Sequence, residues 1–129
     1  MSHRILVVED NLLNRELLCD WLEVEGFAVV TAANLDEAHR AFAGEPPEAV
    51  LLDVQLGEED GLELAAWIRN DARFRGLPVI AVTAHAMVTD QQRVLRAGCN
   101  ACISKPIDFN QLRGQLEGYL QSAHADLSQ

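Results

Sequence analysis

Five short runs, at residues 5–8, 27–31, 49–52, 79–82 and 101–104, are apolar at nearly every position. They alternate with longer segments in which apolar residues recur at helical spacing, so the chain reads as five βα units. In the first helical segment Leu13, Leu17, Trp21 and Val24, widened by Leu18 and Leu22, are predicted to form one core-facing stripe. In the last, Phe109, Leu112, Leu116 and Leu120 do the same. Helix starts are marked by Asn34 with Glu37, Asp60 with Glu63 and Asp108 with Gln111, each placing a capping oxygen three residues before a longer acceptor. Stops are marked by Gly26, Gly44, Gly76 and Gly98. Strands without polar alternation must be buried on both faces, which predicts a parallel sheet covered by helices on each side, a doubly wound α/β fold.

At 129 residues, 49% of them apolar, the chain has material for one core and not for two. One domain over residues 1–121 is expected, with 122–129 as a short tail. No segment patterned like an appended effector domain follows, so any output is expected from this domain's own surface. The formal charge of −10 argues against non-specific nucleic-acid binding, which needs clustered Lys and Arg. No apolar run nears the roughly 20 residues of a membrane-spanning helix, and the start lacks the regions of a signal peptide. Three cysteines without framework spacing point to a reducing compartment, so a cytoplasmic protein is expected.

The candidate chemistry lies where the predicted strands end. The first runs into Glu9 and Asp10, the third into Asp53, the fourth into Thr83, and the fifth into Lys105 and Pro106. Open α/β sheets collect function beyond the carboxyl ends of their strands. If the first and third strands are neighbours, three carboxylates meet there and repel one another unless a cation sits among them. Mg²⁺ suits such a site, because it takes hard oxygen ligands and is commonly held by a few carboxylates plus phosphate. An ionised carboxylate needs no general base to act as a nucleophile, so Asp53 is the candidate acceptor of a phosphoryl group as an acyl phosphate. Lys105 and the Thr83 hydroxyl would meet the phosphoryl oxygens. Taken singly, an Asp after a strand is usually a helix cap and a Lys usually solvated; four matching strand ends together make the site reading.

These residues resemble the receiver domain of bacterial two-component response regulators. Val7-Val8-Glu9-Asp10-Asn11 followed by Asn14, Leu51-Leu52-Asp53 leading to Asp60-Gly61, Val82-Thr83-Ala84, and Ile103-Ser104-Lys105-Pro106 stand in that family's order and spacing. The resemblance runs to about Leu120. It implies a flavodoxin-like five-stranded sheet in the order 2-1-3-4-5 with five helices. It further implies phosphorylation of Asp53 by a sensor histidine kinase or histidine phosphotransfer protein, and Mg²⁺ on Glu9, Asp10, Asp53 and the backbone carbonyl of Gln55. A cis peptide between Lys105 and Pro106 is also implied. The type it resembles is the stand-alone regulator, which is no enzyme beyond its own phosphorylation and dephosphorylation. Such a regulator signals to a downstream protein as a monomer or as a phosphorylation-dependent dimer, and dimerisation in the family often uses the face of the fourth helix, fifth strand and fifth helix.

Three positions depart from the family pattern. Gly57 stands where Pro is common and Glu59 where an apolar residue is common, which predicts a more flexible, more acidic loop after Asp53. Cys102 stands where a Tyr or Phe usually turns inward with the Thr83 movement, so transmission would run through backbone and helix shifts instead. That same change keeps open a degenerate receiver acting as a constitutive docking module. A Mg²⁺-dependent phosphohydrolase is less well matched, since Gln55 stands where its second acid would be.

The remaining features weigh less. Cys99 and Cys102 form a C-x-x-C, but it enters a strand and has no second pair, against a redox or zinc site. Gln55 and His85, each two residues beyond a site residue, are candidates for tuning dephosphorylation. Trp21, Trp67, Phe27 and Phe42 read as packing residues. The fourth helical segment carries Met87, Val88, Val94 and Leu95 among Gln91, Gln92, Arg93 and Arg96, a weak stripe that makes it a candidate partner face.

Overall fold

The computed structural model of the chain describes residues 3–84 and 88–127, with backbone only for Val88 and residues 122–127. Five strands, β1 (Arg4–Val8), β2 (Ala28–Ala32), β3 (Ala49–Asp53), β6 (Val79–Thr83) and β7 (Ala101–Ser104), form one parallel sheet in the order β2-β1-β3-β6-β7. Five helices connect and cover it: α1 (Leu12–Val24), α2 (Leu35–Ala41), α3 (Leu62–Asn70), α4 (Val88–Arg96) and α5 (Phe109–Leu127). Two further strands, β4 (Gln55–Leu56) and β5 (Glu59–Asp60), make a small antiparallel hairpin that the hydrophobic pattern does not announce. This is the doubly wound α/β fold, with main-sheet order 2-1-3-4-5.

Central strands β3 and β6 are buried at every residue, which is why their sequences show no polar alternation. Successive side chains still divide between two cores. Leu6, Val8, Val50, Leu52 and Ala81 point to the face covered by α2, α3 and α4, where they meet Ala38, Leu64, Ile68 and Val94. Ile5, Val7, Leu51, Ile80 and Ile103 point to the other, against Leu18 and Leu22 of α1 and Leu112, Leu116 and Leu120 of α5. Each such large side chain contributes about 1.5–3 kcal/mol over leaving it exposed.

The stripe expected on α1 is corrected by the structure. Leu18 and Leu22 are buried, whereas Leu13, Leu17 and Val24 are 73%, 56% and 86% exposed. At about 100° per residue the apolar positions of α1 spread over roughly half its circumference. The sheet takes the edge carrying Leu18 and Leu22, with Trp21 packed on Phe109 at a ring separation of 5.0 Å. The remaining leucines face outward. On α5 the expected face is the buried one, and the helix runs on through Leu127, six residues beyond where a tail was expected to begin after 121.

Capping follows the side-chain chemistry with small shifts of register. Asn34 accepts from the Glu37 N–H at 2.9 Å, while the Glu37 carboxylate accepts from Ala33 rather than from Asn34 itself. Asp108 accepts from Asn110 and Gln111, and Asp60 from Leu62. Gly26 and Gly98 end α1 and α4 with φ of 95° and 110°; Gly44 and Gly76 take no left-handed conformation, and α3 is followed by a 3₁₀ turn, Ala72–Phe74.

At the amino end of the sheet, Arg69 ties three segments together. Its guanidinium donates to the carbonyls of Gly98 (2.7 Å), Phe74 (3.3 Å) and Arg75 (3.2 Å) and to Asn100 Oδ1 (2.6 Å), which also accepts from the Val79 N–H. A Cβ at Gly98 would lie 2.5 Å from Arg69 Cγ, on a backbone already at positive φ. Gly98→Ala should therefore cost about 1–3 kcal/mol in urea denaturation. Gly44→Ala, with nothing within 4 Å of the added methyl, should stay within about 0.5 kcal/mol of wild type.

Candidate functional site

Parallel pairing brings all the strand carboxyl ends to one rim. Val8 lies opposite Leu52 in the β1–β3 register, so the next residues, Glu9 and Asp53, come out side by side. Thr83 lies opposite Ser104, which delivers Lys105 to the same edge. A cavity of about 340 Å³ opens there, bounded by Glu9, Asp10, Asp53, Thr83 and Lys105, with Asn14, Gln55 and Gly57 among its walls. The structure thus brings together Glu9, Asp10, Asp53, Thr83 and Lys105, while Pro106 lines a neighbouring cavity. His85 lies outside the described residues.

Among the described residues, the buried polar or charged side chains are Glu9 (2% exposed), Asp53 (5%) and Thr83, all three in this cavity. The oxygens of Glu9, Asp10 and Asp53 lie within 4.8 Å of one another. Lys105 Nζ donates to Asp53 Oδ2 at 2.9 Å and to Glu9 Oε2 at 3.4 Å. The Gln55 N–H donates to Asp53 Oδ1 at 3.0 Å and the Asn11 N–H to Glu9 Oε1 at 3.2 Å, so each buried carboxylate is oriented by backbone as well as by the ammonium. Three carboxylates against one ammonium leave two formal negative charges, a set that fits a divalent cation with a preference for oxygen. The Lys105–Pro106 peptide is cis.

Crowding shows in the proton affinities. Burial, then the hydrogen bond and charge of Asp53, push the Glu9 carboxyl up to about 7, against the opposing pull of the Asn11 N–H and Lys105. Burial alone would draw the Lys105 ammonium down, but the hydrogen bonds and charges of Asp53 and Glu9 outweigh it and hold it raised.

The segment after Asp53 is the β4–β5 hairpin, tied at both sides. Gly57 takes φ 62° at its turn, a conformation Pro cannot adopt, and lies against Asp10. Glu59 accepts from the Leu35 N–H at the start of α2, at 3.1 Å, and Asp60 pairs with Arg93 of α4 at 2.5 Å. The two unusual residues of this segment thus build an ordered turn and a helix contact, where a flexible loop was expected. Gly61 is a requirement the sequence did not disclose: a Cβ there would fall 2.1 Å from the Asp53 carbonyl oxygen. A glycine after an acid reads as an ordinary turn, and only the fold shows that β3 passes behind it.

Cys102 is half-buried on the core that contains Cys99 and Val94. Burial pushes the Cys99 thiol up to about 12 and raises that of Cys102, so neither has the thiolate character of a redox pair.

Residues 5–117 match the response regulator receiver domain family. The polar-differentiation response regulator DivK of Brucella anthropi is 39% identical over 123 residues, covering 95% of this chain and 100% of that protein. A response regulator receiver domain protein (CheY-like) of Methanospirillum hungatei superposes with a TM-score of 0.88 at 27% identity, covering 98% of this chain and 99% of that one. NtrX of Brucella abortus also gives a TM-score of 0.88, at 29% identity, with 99% of this chain lying on 29% of that longer one.

The Glu9 carboxyl predicts a pH dependence for the protein held in chelator. Its folded value near 7 exceeds its ordinary value of 4.5, so the folded state binds the proton more tightly. The stability this lends is complete below about 4.5 and is lost as pH rises through about 7. Comparing urea midpoints of wild type and Glu9→Gln at pH 5 and pH 8, the variant should gain on wild type at pH 8; equal differences at the two pH values would contradict the assignment.

Proposed function

The chain belongs to the response regulator receiver domain family, and from that premise we propose that it is a phosphorylation switch whose acceptor is Asp53. The observation that carries this reading is a buried carboxylate at the end of β3, open to an acidic cavity and held at 2.9 Å by the Lys105 ammonium. An Asp53 oxygen attacks the phosphorus of a phosphohistidine on a histidine kinase or phosphotransfer protein. The P–O bond forms as the P–N bond breaks, and the imidazole leaves with the bond's electron pair and takes up a proton. No base is needed to activate the carboxylate, so the protein's task is placement and charge compensation. Glu9, Asp10, Asp53 and the backbone carbonyl of Gln55 would hold Mg²⁺, which when bound would neutralise charge on the phosphoryl oxygens. Lys105 pairs with the acyl phosphate, and Thr83 donates its hydroxyl to it. Gln55, exposed at the cavity wall, and His85 tune attack of water on the product.

We place this protein in the cytoplasm, signalling by phosphorylation-dependent contact with a downstream regulatory protein or a second copy. No helix of the described residues is long and apolar enough to cross a membrane. The face of α4, β7 and α5, where Leu95 is exposed, serves as output surface. The phosphodonor lands instead on the outward stripe of α1. Leu13 and Leu17 are exposed there, and a second cavity of about 220 Å³, lined by Leu17, Pro106, Ile107 and Phe109, adjoins Lys105.

Incubation with Mg²⁺ and acetyl phosphate, read by intact mass, should add one phosphoryl group that Asp53→Asn abolishes, and Gln55→Ala should change the rate of its loss after the donor is removed. Turnover without accumulation would indicate a phosphohydrolase, and no addition at all a docking module. Leu13→Glu should slow transfer from a phosphorylated donor protein about 10-fold or more while leaving labelling by acetyl phosphate unchanged. Equal slowing of both would place the effect in the chemistry rather than in docking.

A further inference from the structure

Arg15 is the fourth residue of α1, in its first turn, a place where the helix dipole disfavours a cation. Helix stability therefore does not account for it. Its guanidinium turns back past the start of the helix: Nη1 donates to the Glu9 carbonyl at 2.8 Å and lies 3.5 Å from the Asp10 carbonyl. Both carbonyls belong to the turn after β1, where the chain leaves the sheet: the Glu9 N–H still donates to the Ala32 carbonyl of β2 at 3.0 Å, and Asp10 follows that bond. The same turn is bound from the other side by the Asn11 N–H on the Glu9 carboxylate. Asp10 is exposed and little confined by packing, with Gly57 as a neighbour, so the backbone of this turn has a large part in where its carboxylate stands.

We propose that Arg15 is a positioning residue for the divalent-cation site, clamping the two carbonyls so that the Glu9 and Asp10 carboxylates are presented together to the ion. This rests on the reading above that Glu9, Asp10 and Asp53 hold Mg²⁺. The clamp and the charge of Arg15 act in opposite directions on affinity. A positive group beside the site repels a dication, so removing a bystander cation tightens binding; removing a clamp lets the turn move and weakens it. The sign of the change separates the two.

The experiment is calorimetric titration of MgCl₂ into wild type, Arg15→Met and Arg15→Lys, with urea midpoints as a check on folding. Arg15→Met should weaken the Mg²⁺ Kd about 10-fold, as loss of a supporting partner to a metal ligand commonly does. Arg15→Lys should fall between, since it keeps the charge but donates from a single point. The Mg²⁺ concentration for half-maximal labelling by acetyl phosphate should rise in parallel, with saturating Mg²⁺ restoring the plateau. Unchanged or tighter binding in Arg15→Met, with wild type binding normally, overturns this inference alone. If Arg15→Met is destabilised, Arg15→Lys decides by the same criterion: an affinity equal to wild type overturns the clamp. Absence of Mg²⁺ binding by wild type overturns both the clamp and the function it rests on.

Discussion

Two carboxylates, Glu9 and Asp53, are buried side by side next to a single ammonium, and the rest of the structure is arranged around keeping them there. Isolated from its surroundings this grouping is unfavourable, because desolvating charge costs several kcal/mol per ion and like charges repel. The rise of the Glu9 carboxyl to about 7 expresses that cost. What holds the group is the β1–β3 register, which emerges from two strands buried on both faces and leaves the next residues no choice of position. Together with Asp10 these carboxylates form a group whose oxygens fit a divalent cation, and such a charge would offset their repulsion.

The two ends of the sheet are consequently unlike. At the amino end Arg69 and Asn100 join α3, the turn after α4 and the start of β6 through neutral acceptors, a contact that stiffens without calling for a ligand. At the carboxyl end the acceptors are carboxylates, and the side chains around them come from the last residues of β3 and β6 and from the turns just past β1 and β7. Stability collects at one rim and chemistry at the other, as the parallel arrangement encourages.

The surroundings of Asp53 bear on the proposed switch in two ways. Cys102 is too small to swing as an aromatic would, and it rests half-buried on the core beside Val94 of α4. The hairpin after Asp53, by contrast, is mechanically connected. The Gln55 N–H holds Asp53, Glu59 caps α2, and Asp60 pairs with Arg93. A change at Asp53 therefore has backbone and ion-pair contacts through which to reach two helices.

Much of this was legible in the order of residues. Fully apolar strands imply burial on both faces, so the sheet and its helices followed from periodicity, whereas the meeting of Glu9, Asp10, Asp53, Thr83 and Lys105 followed only once the first and third strands were taken as neighbours. The resemblance carried by the same motifs supplied the strand order. Tertiary structure alone decided matters in which several local choices were equally good. On α1 the leucines cover half the helix, and only the sheet's position determines that Leu18 and Leu22 go inward while Leu13 and Leu17 remain outside. Gly57 and Glu59 look like a loose acidic loop until the neighbouring α2 start offers Glu59 an N–H to accept. Gly61 has no room for a side chain because the hairpin folds it back onto the Asp53 carbonyl, and the task proposed for Arg15 exists because its reach ends on the carbonyls of the turn after β1. Periodicity reports which face is apolar; which group stands opposite it is a property of the folded chain.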